Sequence, residues 1–248
     1  MFPKTVLLLT SAIIWVVTSA QAAASTSLEV KAGGPKTFYA DDRAGNNQAS
    51  FISQSTIEDF TGVCNKIGGE CTMDPRNIES FKGSFWVRIE DLKTGIDLRD
   101  HHLRSPDWLD AAKYPKIEIS IAKVEQVKKL AANSASMVMV GSAAIHGKTH
   151  DVKINATLTY LDETPQTMKR VKGDLIRIRA EFEIKLADFG ITGPSGSDTI
   201  GLKVAETQQI KVTVFGSTEK PPPPLAPGKD APETPGAVKP KPPTRPPG

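Results

Sequence analysis

Residues 174–186 read DLIRIRAEFEIKL. Ile176, Ile178, Ala180, Phe182 and Ile184 take every second place, and charged residues fill most places between them. Successive side chains of a strand point to opposite faces, so this spacing gives one apolar and one wet face. The same alternation recurs in FKGSFWVRIEDL (81–92), where Phe85, Val87 and Ile89 share a face, and in KIEISIAKVEQV (116–127), where Ile117, Ile119 and Ile121 do. SMVMVGSAAIHG (136–147), DVKINATLTYL (151–161) and LKVAETQQIKVTVFG (202–216) continue the series. A weaker pair lies near KTFYA (36–40) and NQASFISQS (47–55), and Gly147 and GITGPSGSDTIG (190–201) supply turns. The class is therefore all-β, with antiparallel sheet. Long strands with one continuous apolar face tend to curl and close, because closure removes exposed edges. The expected architecture is a closed antiparallel β-barrel of about eight strands, whose interior is either filled by side chains or able to hold one apolar ligand.

One stretch breaks the strand pattern. GIDLRDHHLRSPDWLDAAKYP (95–115) suggests a short helical excursion near one end of the barrel. Asp97 can cap a first turn or two through Leu103. Ser105-Pro106 resembles a second helix start, with Trp108, Leu109 and Ala112 on one face and Tyr114-Pro115 as its end.

Both ends of the chain differ from the middle. Residues 1–22 have a positive start at Lys4, an apolar run from Val6 to Val17 and Ala20-Gln21-Ala22 as a cleavage site. This is the pattern of a secretory signal peptide cleaved near Ala22. The run is shorter than the ~20 apolar residues that span a bilayer, so no transmembrane anchor is expected in the mature chain. Residues 219–248, EKPPPPLAPGKDAPETPGAVKPKPPTRPPG, form a proline-rich, basic tail. Such a composition cannot bury a core and is expected to stay disordered, as a spacer or as a weak surface or protein contact. Residues 25–218 remain for a single barrel domain. The formal charge of +3 is close to neutral, and no basic, aromatic-laced stretch points to nucleic acid.

Cys64 and Cys71 are the only cysteines and flank a glycine-containing loop. In an exported chain their first reading is a short-range disulfide. Adjacent His101 and His102 diverge on a helix, and His146 and His150 flank a turn, so no metal site is preorganised. No nucleophile motif or phosphate-cradling glycine loop is present. Arg99, Asp100, Arg104 and Asp107 read as bracing charge pairs or as a headgroup clamp. Ala143, Ala156 and Ala180 sit at apolar-phase positions and leave room inside.

TGIDLRDHHLRS (94–105), then WLD (108–110), then KYP (113–115), resembles the signature of the YceI-like family. The similarity continues through GSAAIHGKTHDV (141–152), ADFGI (187–191) and LKVAETQQIKVTV (202–214), in order, over most of residues 45–216. The resemblance implies a lipocalin-like barrel, exported to the periplasm or secreted. Its elongated pocket would hold a polyisoprenoid, a quinone tail or a related lipid as ligand, with no cofactor and no catalysis. The barrel wall would be Phe85, Val87, Ile89, Ile117, Ile119, Ile145, Phe182, Ile184 and Phe189. The mouth or lid would be Leu98, Arg99, Asp100, His102, Leu103, Arg104, Trp108 and Leu109. The cysteine loop and the proline-rich tail depart from the family pattern, as do Trp108-Leu109, where two phenylalanines are usual, and Ala143, where a larger aliphatic is common. Two other functions stay open: a filled barrel acting as a structural or surface-interaction protein through its tail, and a histidine- or metal-dependent enzyme. A second copy of the chain, as a homodimer, is a further partner left open.

Overall fold

The computed structural model describes residues 25–222; the expected signal segment (1–22) and nearly all of the tail (219–248) lie outside them. Ten strands run in chain order: β1 (Lys36–Ala40), β2 (Gln48–Gln54), β3 (Asp59–Cys64), β4 (Gly68–Asp74), β5 (Asn77–Arg88), β6 (Lys116–Ala131), β7 (Ser134–Ile145), β8 (Lys148–Leu161), β9 (Leu175–Lys185) and β10 (Thr207–Ser217). The ladder runs β1-β4-β5-β6-β7-β8-β9-β10-β2-β3, all antiparallel, and β1 also pairs with β10. That last pairing closes eight strands into a barrel. The β2–β3 hairpin continues the sheet beyond it.

The closing seam is divided. β10 meets β1 only at Tyr39↔Ser217 and Ala40↔Gly216, near its C-terminal end. Gln209 to Thr213 of the same edge pair with β2, and between the two ladders Phe215 donates its N–H to Asn47 Oδ1 and accepts the Asp41 N–H. β3 is then pinned to the segment after β5 by reciprocal backbone bonds between Val63 and Lys93, at 2.8 and 2.9 Å. A backbone edge inside a protein needs partners along its whole length, and β10 finds them on two different strands.

Local chemistry explains the corners. β7 turns into β8 through His146 and Gly147, both at positive φ (50° and 73°), which matches a type I′ hairpin. In the β2–β3 hairpin the Phe51 ring covers Gly62, its Cα partner, and occupies the space a side chain there would need. Phe51 then meets Phe60 edge-on at 6.0 Å. The strands at 59–64 and 68–74 are additions to the sequence reading, which treated that region as a stapled loop.

Two further expectations are corrected. The helix α1 (Asp97–Arg104) ends at Ser105, and residues 105–114 wind through consecutive turns instead of a second helix. Asp110 takes φ 46°, which stops helical propagation, and its carbonyl receives Tyr114 N–H at 2.8 Å. Asp97 is not the cap; Ile96 holds that place without a side-chain bond. The disulfide is also absent: Cys64 and Cys71 are free and buried. β3 and β4 are not neighbours, so Cys64 packs with Ile89 and Leu92 while Cys71 packs with Phe38 and Met73 in a separate cluster. Burial pushes both thiols up, so they are protonated and inert at neutral pH.

Alkylation of the native protein should therefore leave both cysteines unmodified, and alkylation after unfolding without reductant should label both. A mass spectrum in which the unfolded, unreduced chain takes up no label would restore the disulfide.

Candidate functional site

The barrel interior divides into two parts along its axis. In the lower part, Phe38, Phe81, Met73, Met137, Met139, Leu158 and Tyr160 are among the residues that form a buried cluster. Leu28, held by its N–H on the Pro75 carbonyl at 2.9 Å, joins that cluster from below. Tyr160 Oη receives the Lys36 ammonium at 2.8 Å, and the same ammonium pairs with Asp174 at 2.6 Å. Burial works to raise the Asp174 carboxyl, but Lys36 and the Glu163 N–H outweigh it and hold it below the carboxylate range. Ala156 and Ala180 pair across the β8–β9 ladder, Met137 pairs with Ala156 across β7–β8, and both alanines are buried in this cluster and border no part of the cavity in the upper part.

The upper part is hollow. Inward-facing residues pass from buried to partly exposed along four strands, within one strand period on three of them (Ile121 to Ile119 on β6, Ala180 to Phe182 on β9, Val214 to Val212 on β10) and within two on β5, from Phe81 to Phe85 across Gly83. The area they expose faces a cavity of about 550 Å³ that opens at one end. Its walls are almost wholly apolar, a lining suited to a hydrocarbon ligand and poorly suited to an ion.

Of the expected wall, Phe85, Val87, Ile117, Ile119, Ile145, Phe182 and Ile184 border this cavity. Ile89 and Phe189 do not. Both fall just past a strand end, where a 3₁₀ turn breaks the alternation. Ile89 is fully buried with its N–H on the Pro115 carbonyl at 3.0 Å, and Phe189 packs on the His150 ring at 5.1 Å. Ala143 is buried away from the cavity as well.

Of the expected mouth, Leu98, Arg99, His102, Leu103, Trp108 and Leu109 border the cavity, while Asp100 and Arg104 do not. Those two brace α1. The Asp100 carboxylate accepts the Thr94 N–H and hydroxyl, both at 2.7 Å, and lies 3.6 Å from the Lys93 ammonium. Burial alone would raise the Asp100 carboxyl; the Thr94 donors and the nearby Lys93 and Arg104 charges outweigh it and lower it. Arg104 donates to the carbonyls of Glu90 and Leu92 at 3.3 and 3.4 Å. Arg99 spans the mouth: its guanidinium pairs with the Glu58 carboxylate and stacks over the Phe60 ring at 4.3 Å. The segment after β9 completes the rim with Ile191, Thr199, Lys203 and Val204.

Sequence reasoning missed Phe51, Glu58 and Phe60 on the appended hairpin, and Ile210 and Val212 on β10. The alternation of Ile210, Val212 and Val214 was there to be read. The hairpin carried no signal of comparable strength, because its second strand is built around Gly62 and Cys64. His146 donates to or accepts from nothing in the cavity; its Nδ1 lies 3.2 Å from the Phe189 carbonyl and its ring meets Tyr114 edge-on. Among the described residues, no three His, Cys, Asp or Glu side chains gather as a metal cluster.

A closed eight-stranded antiparallel barrel, hollow toward one open end, places the protein in the lipocalin-like class. A family model described as YceI-like domain matches residues 39–215, and the chain belongs to that family. Its relatives include a UPF0312 protein of Vibrio cholerae, 27% identical over 143 residues that cover 58% of this chain and 70% of the relative. Protein YceI of Escherichia coli is 28% identical over 146 residues, covering 58% and 67%. Two solved structures share the fold. BcnA of Burkholderia cenocepacia aligns with TM-score 0.53 at 18% identity, over 68% of this chain and 95% of its own. A polyisoprenoid binding domain from Saccharophagus degradans, implicated in plant cell wall breakdown, aligns with TM-score 0.53 at 14% identity, over 74% and 99%.

Asp100→Ala strands the Thr94 donors and should cost about 1–3 kcal/mol in urea unfolding. Because the native carboxyl lies below its ordinary value of 3.8, its contribution is full above that pH and is lost as pH falls through the lowered native value. The variant should therefore show a smaller loss of stability on acidification than the parent; equal acid sensitivity would count against the brace.

Proposed function

We propose that the protein is an exported binding protein that holds a long apolar chain in the hollow half of its barrel, for storage or transport, without chemistry on that chain. A polyisoprenoid, a quinone tail or a related lipid is the ligand class. The observation that carries this reading is the one-ended apolar cavity of about 550 Å³ above a filled lower core.

The energetics favour an occupant. A sealed, dry void costs about 24 cal/mol per Å³, so on the order of 13 kcal/mol at this size, and that rivals the whole stability of a typical domain. An open mouth relieves the cost by admitting water, but water gains little from apolar walls. Each CH₂ moved from water into such a cavity contributes about 0.8 kcal/mol, so a hydrocarbon chain binds without specific polar contacts. Polar selection falls to the rim, where Arg99, Glu58, His102 and Lys203 border the opening.

The family assignment and the fold shared with a polyisoprenoid binding domain support the ligand class. The signal-like segment at residues 1–22 supports export to the periplasm or beyond. No helix among the described residues is long and apolar enough to cross a membrane. The cavity weighs against the reading in which a fully filled barrel serves only as a scaffold for its tail.

Solvent extraction of detergent-free protein taken from its native compartment, followed by mass spectrometry, should release a long-chain amphiphile in near-stoichiometric amount. An empty, folded protein would sink the carrier reading. Ile119→Arg places an unpaired guanidinium on the cavity wall and should lower loading at least tenfold in protein whose circular dichroism is unchanged; normal loading by that variant would remove Ile119 from the wall.

A further inference from the structure

The lower core has a consequence for which ligands fit, resting on the binding reading above. Val87, Ile119 and Phe182 pack against both the lower cluster and the upper one, and all three border the cavity. Phe85 pairs directly with Ile119 across the β5–β6 ladder, and Ile210 pairs with Phe182 across β9–β10. These side chains converge at the level where four strands pass from buried to partly exposed. Below them Phe81, Met137, Leu158 and Tyr160 border no part of the cavity. The barrel therefore has a floor about midway along its axis, and a chain entering from the mouth cannot run the full length of the strands.

The volume then limits the chain. An apolar cavity of about 150 Å³ takes one benzene, roughly 25 Å³ per carbon, so at the same density a 550 Å³ cavity takes about 22 carbons. We propose that the protein is selective for chains of about four isoprene units, or an unbranched chain of similar carbon count. Val87, Ile119 and Phe182 set that limit. Carbons beyond it stay outside the mouth and add little to affinity, because no apolar surface of the cavity is left to receive them.

The test is displacement of a fluorescent apolar reporter, 1-aminoanthracene, from the full chain by prenols of two, three, four and nine units. Kd should fall at least tenfold with each unit up to about four and change less than threefold from four to nine. A further tenfold fall between four and nine units would overturn the limit while leaving the carrier reading intact. Reporter binding that no prenol displaces would overturn the isoprenoid reading, and this proposal with it. Phe182→Ala, checked for an unchanged thermal transition and circular dichroism, should move the plateau to a longer prenol. A folded Phe182→Ala protein with the parent's plateau would show that Phe182 is not the floor. If that variant fails to fold, Ile119→Ala serves in its place, and the parent's own series decides the limit in either case.

Discussion

β10 has one free edge and two strands to satisfy it. β1 takes only the last two residues of that edge, and β2 takes the five between Gln209 and Thr213. Had β1 followed β10 along its whole length, the barrel would close tightly everywhere and side chains would fill it. With the edge shared, closure is confined to the lower part, and the upper wall is completed by a hairpin. The hairpin brings its own aromatic residues, Phe51 and Phe60, to the cavity. The hollow is thus a consequence of how backbone hydrogen bonds are distributed along a single strand.

The mouth shows the same economy of charge. Arg99 on α1 is balanced by Glu58, and Lys93, just before α1, lies beside Asp100, so both of these cations already have partners. Asp100 and Arg104 face the segment that leads into α1 and hold it by backbone groups. The polar residues that crowd residues 97–104 therefore mostly position a lid, and the surface they leave to a ligand is supplied by Leu98, Leu103 and Trp108.

Much of this was legible in the sequence, and the gaps have physical causes. Alternation in 174–186 and 116–127 defined inward faces that the structure retains, because one buried face makes strand phase unambiguous. The phase argument failed at Ile89 and Phe189, which lie in the 3₁₀ turns that follow β5 and β9, where the turn rotates the chain. It gave no room at Ala156 and Ala180 because both lie in the packed half of the barrel, and period alone does not say which neighbours fill the space beside a small residue. The hairpin from 48 to 64 was half seen, since Gly62 carries little strand preference and the spacing of Cys64 from Cys71 suggested a staple. The second helix from Ser105 had a strong local start signal, yet Asp110 in the left-handed region ended it. The position of the floor was not legible at all, because it depends on which ladder rungs of β5, β6, β9 and β10 come level.

The separation of the barrel into a packed half and a hollow half also separates two kinds of selection. Replacing Phe81, Leu158 or Tyr160 strikes the core on which the closed sheet depends. Replacing Ile117, Ile210 or Val212 alters a wall that is already partly uncovered, so the fold loses less and the shape of the cavity changes more. Substitutions in the upper wall can therefore reshape the cavity while the barrel stays the same, and on β6, β9 and β10 the boundary between the two lies within one strand period.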